Sequence, residues 1–152
     1  MSISRGTWPR ASRWNESRVP WAGRENSRVD IIGIGVDLVD VTRVERLLDR
    51  RRTFVARVFT PEEIAYCEGQ GNRAECYAAR WAAREACRKA LGGIRDMRWH
   101  EVQVARAPTG APSLVLQGAS RDRAALLGVT EVKVALTHER RMAAAFCVAV
   151  RG

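Results

Sequence analysis

The chain has 152 residues, 46% of them hydrophobic, and carries 26 Lys and Arg against 17 Asp and Glu for a net charge of +9. That length supports one domain with a single core rather than two, and no apolar run approaches the roughly 18–20 residues of a membrane-spanning helix. The basic balance points to anionic partners: nucleic acid, phosphorylated small molecules or an acidic protein.

Residues 1–28 differ from everything after them. The segment has no hydrophobic periodicity, holds three of the five tryptophans, and with six Arg and two Glu carries +4 of the net charge. It is expected to be a disordered basic extension, and it lacks the apolar stretch of a secretory signal. Its Arg- and Ser-rich character also fits a transit peptide, and a translation start at Val29 is a third explanation. The folded domain is expected over residues 29–152.

That domain opens with Ile31-Ile32-Gly33-Ile34-Gly35-Val36-Asp37-Leu38-Val39-Asp40. Apolar residues on both faces predict an interior strand, and Gly33 and Gly35 allow another backbone or a ligand to come close. The glycines do not make a dinucleotide fingerprint, because its third glycine falls on Leu38. An ionised Asp37 is costly in such a strand unless a metal or hydrogen-bond donors hold it. It either caps the turn at the strand's end or faces a hard cation. Asp40 or Thr42 then caps a helix with Val41, Val44, Leu47 and Leu48 on one face. Arg43, Arg46, Arg50 and Arg51 form the other face, either as a solvated stripe or as a dock for an acidic partner.

Thr60-Pro61-Glu62-Glu63 is a strong helix start, with an N-cap threonine, proline at the first helical position and a reciprocal glutamate. That helix is expected to run to about Cys67. After a loop at Gly69 to Asn72 comes the longest helix, starting near Glu75 and stopped by Gly92 and Gly93. Ala82, Ala86 and Ala90, with Ala83, Cys87 and Leu91, give it a small apolar face suited to close packing. Trp81, Glu85 and Lys89 line a second ridge beside Arg84 and Arg88. Glu85 and Lys89 have the spacing of an ordinary surface salt bridge. Together with Asp37, however, Glu85 supplies the second of two carboxylates that suit Mg2+, with water and phosphate oxygens completing its shell.

Beyond Gly93 the period changes to two. Glu101 to Arg106 and Ser113 to Leu116 form a hairpin turned at Pro108 to Pro112, and Ser120 caps a short helix through Leu127. Val132 to Thr137 and Met142 to Val150 make a second strand pair, with His138 presented at its turn. His100 is expected to be structural or exposed. Cys67, Cys76, Cys87 and Cys147 lack C-x-x-C spacing and are expected to be buried thiols of a reducing compartment, neither disulfides nor zinc ligands. The element order β-α-α-α-β-β-α-β-β implies an α+β domain with an antiparallel sheet packed on a long central helix.

Across residues 31–150 these segments resemble the holo-acyl-carrier-protein synthase type of 4'-phosphopantetheinyl transferase. The resemblance is carried by Gly33-Ile34-Gly35-Val36-Asp37-Leu38-Val39-Asp40, by Arg80-Trp81-Ala82-Ala83-Arg84-Glu85-Ala86 running to Lys89-Ala90-Leu91-Gly92, and by Leu136-Thr137-His138. It implies a single-domain fold of that family, acting on coenzyme A and an apo acyl carrier protein in the cytoplasm. Asp37 and Glu85 are implied to hold Mg2+, while Glu85, Lys89 and His138 serve the reaction. Arg84, Lys89, Gly110, Pro112 and His138 are implied to contact coenzyme A, and Arg43 with Arg46 the carrier protein. The reaction implied is attack of a carrier serine on the β-phosphorus of coenzyme A, with release of adenosine 3',5'-bisphosphate. Glu85 or a metal-bound water is the candidate base. A homotrimer with active sites between subunits also follows from the resemblance alone.

Three departures from the family pattern bear on that reading. Arg84 stands where lysine is usual, Ala111 replaces the lysine of a Gly-Lys-Pro segment, and Glu139 follows His138 where Thr or Ser is usual. Two alternatives compete with the transferase: a basic nucleic-acid-binding module, and a degenerate family member that binds coenzyme A without efficient transfer. No nucleic-acid motif supports the first.

Overall fold

The computed structural model describes residues 29–50, 52–93 and 96–152. The expected disorder of residues 1–28, and Arg51 of the arginine stripe, lie outside the described residues. Strand β1 (Asp30–Asp40) leads into helices α1 (Val41–Arg50), α2 (Arg52–Val58), α3 (Pro61–Glu68) and α4 (Arg73–Ala90). A 3-10 turn at Trp99–Glu101 precedes the hairpin β2 (Val102–Arg106) and β3 (Pro112–Leu116), followed by α5 (Gly118–Leu126), β4 (Glu131–Glu139) and β5 (Met142–Arg151). The expected α+β architecture is present, with one antiparallel sheet of order β1-β5-β4 laid on α4 and the β2-β3 hairpin as a second, smaller sheet.

The sheet and α4 meet through small residues on both sides. Gly33 and Gly35 of β1 face the helix, as do Ala143, Ala145, Cys147 and Ala149 of β5, all buried or partly buried. From the helix come Ala82, Ala83, Ala86, Cys87 and Ala90. A Cβ at Gly33 would collide with the Ala90 carbonyl, and one at Gly35 would strike the Ala86 carbonyl and lie 2.7 Å from the Ala90 nitrogen. These glycines are therefore a packing requirement, because only bare backbone fits against the helix.

The opposite face of the sheet corrects the reading of β1 as an interior strand. β1 is an edge strand, and its other apolar face is uncovered: Ile34, Val36 and Leu38 are 56%, 58% and 62% exposed. Across the register Val36 sits opposite Phe146 and Ile34 opposite Val148, so β5 continues the apolar surface. Alternation was lost from the sequence because both faces are apolar, yet only one of them is buried within a single chain.

Three local features also differ from expectation. Helix α2 was not foreseen; it lacks a capping signal and is held through Phe54, which stacks on Trp81 at 5.2 Å between ring centroids. Of the two caps expected for helix α1 the structure uses Asp40, whose Oδ1 accepts the Arg43 N–H at 3.2 Å. Helix α4 begins at Arg73, because the Asn72 side chain caps it by accepting the Glu75 N–H at 3.3 Å. Ser120 does not cap α5 but lies inside its first turn, where its hydroxyl donates to the Glu101 and Gln117 carbonyls, each at 2.7 Å. Its hydroxyl is used to fasten the helix to the base of the hairpin.

The close approach of α4 to β1 makes Gly35 the sharpest test of the fold. Gly35→Ala is expected to lower the unfolding free energy by about 1–3 kcal/mol or more, the usual cost of overpacking. Urea denaturation should show a lower midpoint with an unchanged slope.

Candidate active site

Two cavities open on either side of α4. The first, about 490 Å3, is lined by Asp37 and Asp40 of β1, Arg43 of α1, and Trp81 and Glu85 of α4, among others. Its geometry follows from the packing above. Asp37 lies two and four residues beyond Gly35 and Gly33, on the face of β1 that meets the helix, and Glu85 projects from the next ridge of α4.

The two carboxylates are each engaged on one oxygen. Lys89 Nζ lies 2.9 Å from Asp37 Oδ1 and also donates to the Val36 carbonyl at 2.8 Å. Arg88 holds Glu85 Oε2 through Nε at 3.2 Å and Nη2 at 2.8 Å. Lys89 thus pairs with Asp37 rather than with Glu85, the partner that spacing along the helix suggested. Hard oxygen donors on Asp37 and Glu85 that carry no such bond fit a magnesium-like cation. Among the described residues no third His, Cys, Asp or Glu joins them as a metal-binding group. Such a cation would take its remaining ligands from water and a bound phosphate.

The second cavity, about 450 Å3, lies on the other side of α4 and is lined by Glu75 and Arg80 of that helix, Arg106, Gly110 and Pro112 of the hairpin, and His138 of β4. The His138 Nδ1 is 3.4 Å from Glu75 Oε2. Arg106 is fixed across the hairpin turn, its Nε and Nη2 donating to the Gly110 carbonyl at 3.0 and 2.8 Å, and it also bonds the Tyr66 hydroxyl. Arg80 is only 6% exposed, and its guanidinium lies 4.4 Å from the centre of the Tyr66 ring. Its Nε has no hydrogen-bond partner, and among the described residues no carboxylate comes within ion-pairing distance. Burial holds its pKa below the ordinary arginine value, opposed by the charge of Glu63. A buried cation lacking an ion-pair partner, beside Arg106 and His138, is an arrangement that receives an anion.

Arg84, expected at the phosphates, is placed differently. It is 0% exposed and lies in the core, where its Nη2 binds Glu63 Oε2. Its Nε donates to the Trp99 carbonyl at 2.9 Å and its Nη1 to the Arg80 carbonyl at 3.2 Å. Glu63 Oε1 accepts the Val104 N–H at 2.9 Å, while its Oε2 also accepts the Thr60 N–H at 3.0 Å to complete the capping box foreseen for α3. Burial pushes the Arg84 pKa down and Glu63 pulls it back. The pair is structural, and the arginines that line the second cavity are Arg80 and Arg106, which sequence reasoning did not single out. Arg80 lies one turn before Arg84 on the same helix, so periodicity alone could not separate their roles. Arg106 and Pro112 could have been linked from the hairpin register.

Arg43 and Arg46 are exposed on α1, and Arg43 edges the first cavity. His100 lies in the 3-10 turn and lines neither cavity. Cys67 and Cys76 are joined in a disulfide, correcting the expectation of four free thiols. The ends of α3 and α4 that carry them converge to a Cα separation of 5.5 Å, which the sequence spacing did not reveal. Cys87 and Cys147 are free and buried, as expected.

A family model described as the 4'-phosphopantetheinyl transferase superfamily matches residues 33–147, from the first glycine of β1 to the middle of β5. The chain belongs to this superfamily. Holo-[acyl-carrier-protein] synthase of Anaeromyxobacter dehalogenans strain 2CP-C is 47% identical over 119 residues, covering 76% of this chain and 92% of that protein. The enzyme of the same name from Desulforudis audaxviator is 43% identical over 122 residues, covering 79% and 93%. Among solved structures, holo-[acyl-carrier-protein] synthase from Neisseria meningitidis aligns with a TM-score of 0.72 and 30% identity over 79% of this chain and 98% of that one. The Helicobacter pylori synthase in complex with coenzyme A aligns at 0.66 and 27% identity, over 76% and 98%. The chain is accordingly a transferase of the phosphopantetheinyl class, and both cavities lie within the matched region.

The division between a structural and a site ion pair on α4 is measurable. Arg84→Ala leaves the Glu63 carboxylate buried without its cation and is expected to cost about 3–5 kcal/mol of stability. Glu85→Gln removes a partly exposed pair with Arg88, an i,i+3 contact on the helix surface, and is expected to change stability by about 1 kcal/mol or less. Chemical denaturation of the two variants side by side checks the contrast.

Proposed function

We propose that this transferase moves the 4'-phosphopantetheine group from coenzyme A to a serine of an apo acyl carrier protein, in a Mg2+-dependent reaction that releases adenosine 3',5'-bisphosphate. The observation that carries the reading is the placement of Asp37 and Glu85 on one cavity beside Lys89 and Arg88. Relatives named for acyl carrier protein, and a related structure with coenzyme A bound, support the choice of substrates.

Asp37 and Glu85 are the residues that would hold Mg2+, which supplies charge neutralisation to the pyrophosphate. In the transfer, the serine oxygen forms a bond to the β-phosphorus, and the bond from that phosphorus to the oxygen bridging the two phosphates breaks. The departing adenosine 3',5'-bisphosphate keeps the bridging oxygen. The proton of the serine hydroxyl passes to a base, for which we take Glu85, a carboxylate already at the cavity wall. Chemistry of this kind depends on positioning and charge more than on covalent help from the protein. Lys89 adds positive charge next to Asp37. On the far side of α4, Arg80, Arg106 and His138 receive further phosphate charge, with Gly110 and Pro112 shaping the cavity wall; Arg84 has no part in this. Arg43 and Arg46, exposed on α1, would meet the acidic surface of the carrier protein.

Asp37 and His138 line different cavities of one chain. We therefore place the complete site between copies, with the Asp37 and Glu85 cavity of one subunit facing the Arg80 and His138 cavity of its neighbour. The uncovered sheet face of Ile34, Val36, Leu38 and Phe146 is an apolar surface that such an assembly would bury. A homotrimer built on residues 29–152 in the cytoplasm is the form we propose, with residues 1–28 as a basic extension of each chain. Among the described residues no helix is long and apolar enough to cross a membrane. The arginine stripe thereby has a role without nucleic acid.

Incubation with coenzyme A, Mg2+ and a panel of apo carrier proteins should give a phosphopantetheine adduct on the carrier serine by intact mass. Chelation should abolish it, and Asp37→Asn, Glu85→Gln or Arg80→Gln should each slow it by at least about 100-fold, the scale of losing one transition-state charge partner. A folded protein that binds coenzyme A and modifies no carrier would overturn the proposed transfer.

A further inference from the structure

We propose that Cys67 and Cys76 form a reversible redox site that sets the affinity of the neighbouring phosphate cavity. The inference rests on the reading of that cavity as part of the coenzyme site. Four observations carry it. First, the two Cα atoms are 5.5 Å apart, within the span a disulfide bridges without backbone movement. Second, the partners are unequal: Cys67 is wholly buried in the core, whereas Cys76 lines the cavity. A small reagent therefore meets the pair from the cavity side, at the Cys76 sulfur.

Third, the bond closes a loop whose own residues build the cavity. Gln70, Gly71, Asn72 and Glu75 lie between the two cysteines, and all of them line it. Fourth, two of the three groups read as anion receptors touch this segment. Cys76 Sγ is 2.9 Å from Arg80 Nη1, and Glu75 Oε2 is 3.4 Å from His138 Nδ1. The remaining cysteines do not compete. Cys87 and Cys147 line neither cavity, and burial pushes both thiols up to about 12, with Cys147 adding to the effect at Cys87. Such thiols are inert at neutral pH.

The reaction is thiol–disulfide exchange with a small-molecule disulfide such as glutathione disulfide. The Cys76 thiolate, stabilised by the Arg80 guanidinium beside it, attacks one glutathione sulfur and expels a glutathione thiolate. The Cys67 sulfur then attacks Cys76 Sγ, closing the protein disulfide and expelling the second glutathione. Two electrons pass from the cysteine pair to glutathione disulfide, and the two cysteine protons end on the two glutathione thiols. Reduction runs backward, beginning with attack of a thiolate on Cys76 Sγ. A ligand in the cavity blocks that approach.

Oxidation tethers the Gln70 to Glu75 wall before any ligand arrives, so binding has less chain entropy to remove. The oxidised form therefore binds more tightly, and by linkage the bound ligand favours the disulfide by the same factor. Adenosine 3',5'-bisphosphate is the appropriate probe, because it lacks the thiol of coenzyme A and cannot itself reduce the pair. The full chain is equilibrated in glutathione buffers of rising oxidised fraction, alkylated in denaturant, and weighed by intact mass. Two of the four cysteines should be labelled after oxidation and all four after reduction.

Calorimetric titration should then give a dissociation constant at least about fivefold lower for the oxidised form. Saturating nucleotide should move the half-oxidation point by the same factor and slow reduction by dithiothreitol. Cys67→Ala leaves the cavity lining intact and should bind like the reduced wild type in reducing buffer; in oxidising buffer it should gain no affinity, because its Cys76 stops at the mixed disulfide with glutathione. Four labelled thiols after oxidation, or equal affinities in the two redox forms, would overturn the inference while sparing the coenzyme reading. Absence of binding in both forms would strike that reading itself and the inference with it.

Discussion

The contact of bare backbone between β1 and α4 governs the rest of the molecule. At Gly33 and Gly35 no side chain separates the strand from the carbonyls of Ala90 and Ala86, so the helix axis lies as close to the sheet as main chain permits. Small residues of β5 extend the same seam. With its position fixed at these points, α4 has little freedom to roll or slide. That rigidity turns two ordinary acidic residues, one on a strand and one on a helix, into a pair lining one cavity. The cost of so small-sided a contact is reduced apolar area, which larger side chains on the flanking elements make up.

A second device holds the helices around α4. Glu63 starts α3, accepts a bond from β2 and pairs with Arg84 of α4, so one carboxylate joins three elements. Such a pair is costly to desolvate and is tolerable because its polar atoms find partners. One turn away, Arg80 is nearly as buried but has no ion-pair partner among the described residues and lines a cavity. Two arginines at the same helical spacing thus divide into a structural cation and a receptive one. The difference lies in where α3 places its glutamate.

The distribution of candidate groups also makes sense of the exposed sheet face. A single chain displays its carboxylate pair and its cluster of Arg80, Arg106 and His138 on different sides of α4. It also leaves a row of Ile, Val and Leu side chains uncovered on β1. The assembly we propose, a second copy packed against the sheet, would answer both features. An assembly that buries apolar surface would at the same time bring complementary half-sites together, linking stability to the formation of the site.

Much of this protein is determined locally. The capping box at Thr60 and Glu63, the glycines that stop α4, the alternation of the β2-β3 hairpin and the small-residue face of α4 all arise between residues a few positions apart. Their signals survive in the sequence whatever the rest of the chain does; Asp37 stands out because it breaks such a local pattern, and Glu85, at ordinary salt-bridge spacing, only in combination with it. What the tertiary structure alone decided depends on distances between elements remote along the chain. The pairing of the buried Arg84 with Glu63, the cavity-lining position of Arg80, the pairing of Lys89 with Asp37, the bond between Cys67 and Cys76, and the exposure of one apolar face of β1 are of this kind. Periodicity gives the face on which a side chain lies, but not what another element, twenty or fifty residues away, sets opposite it.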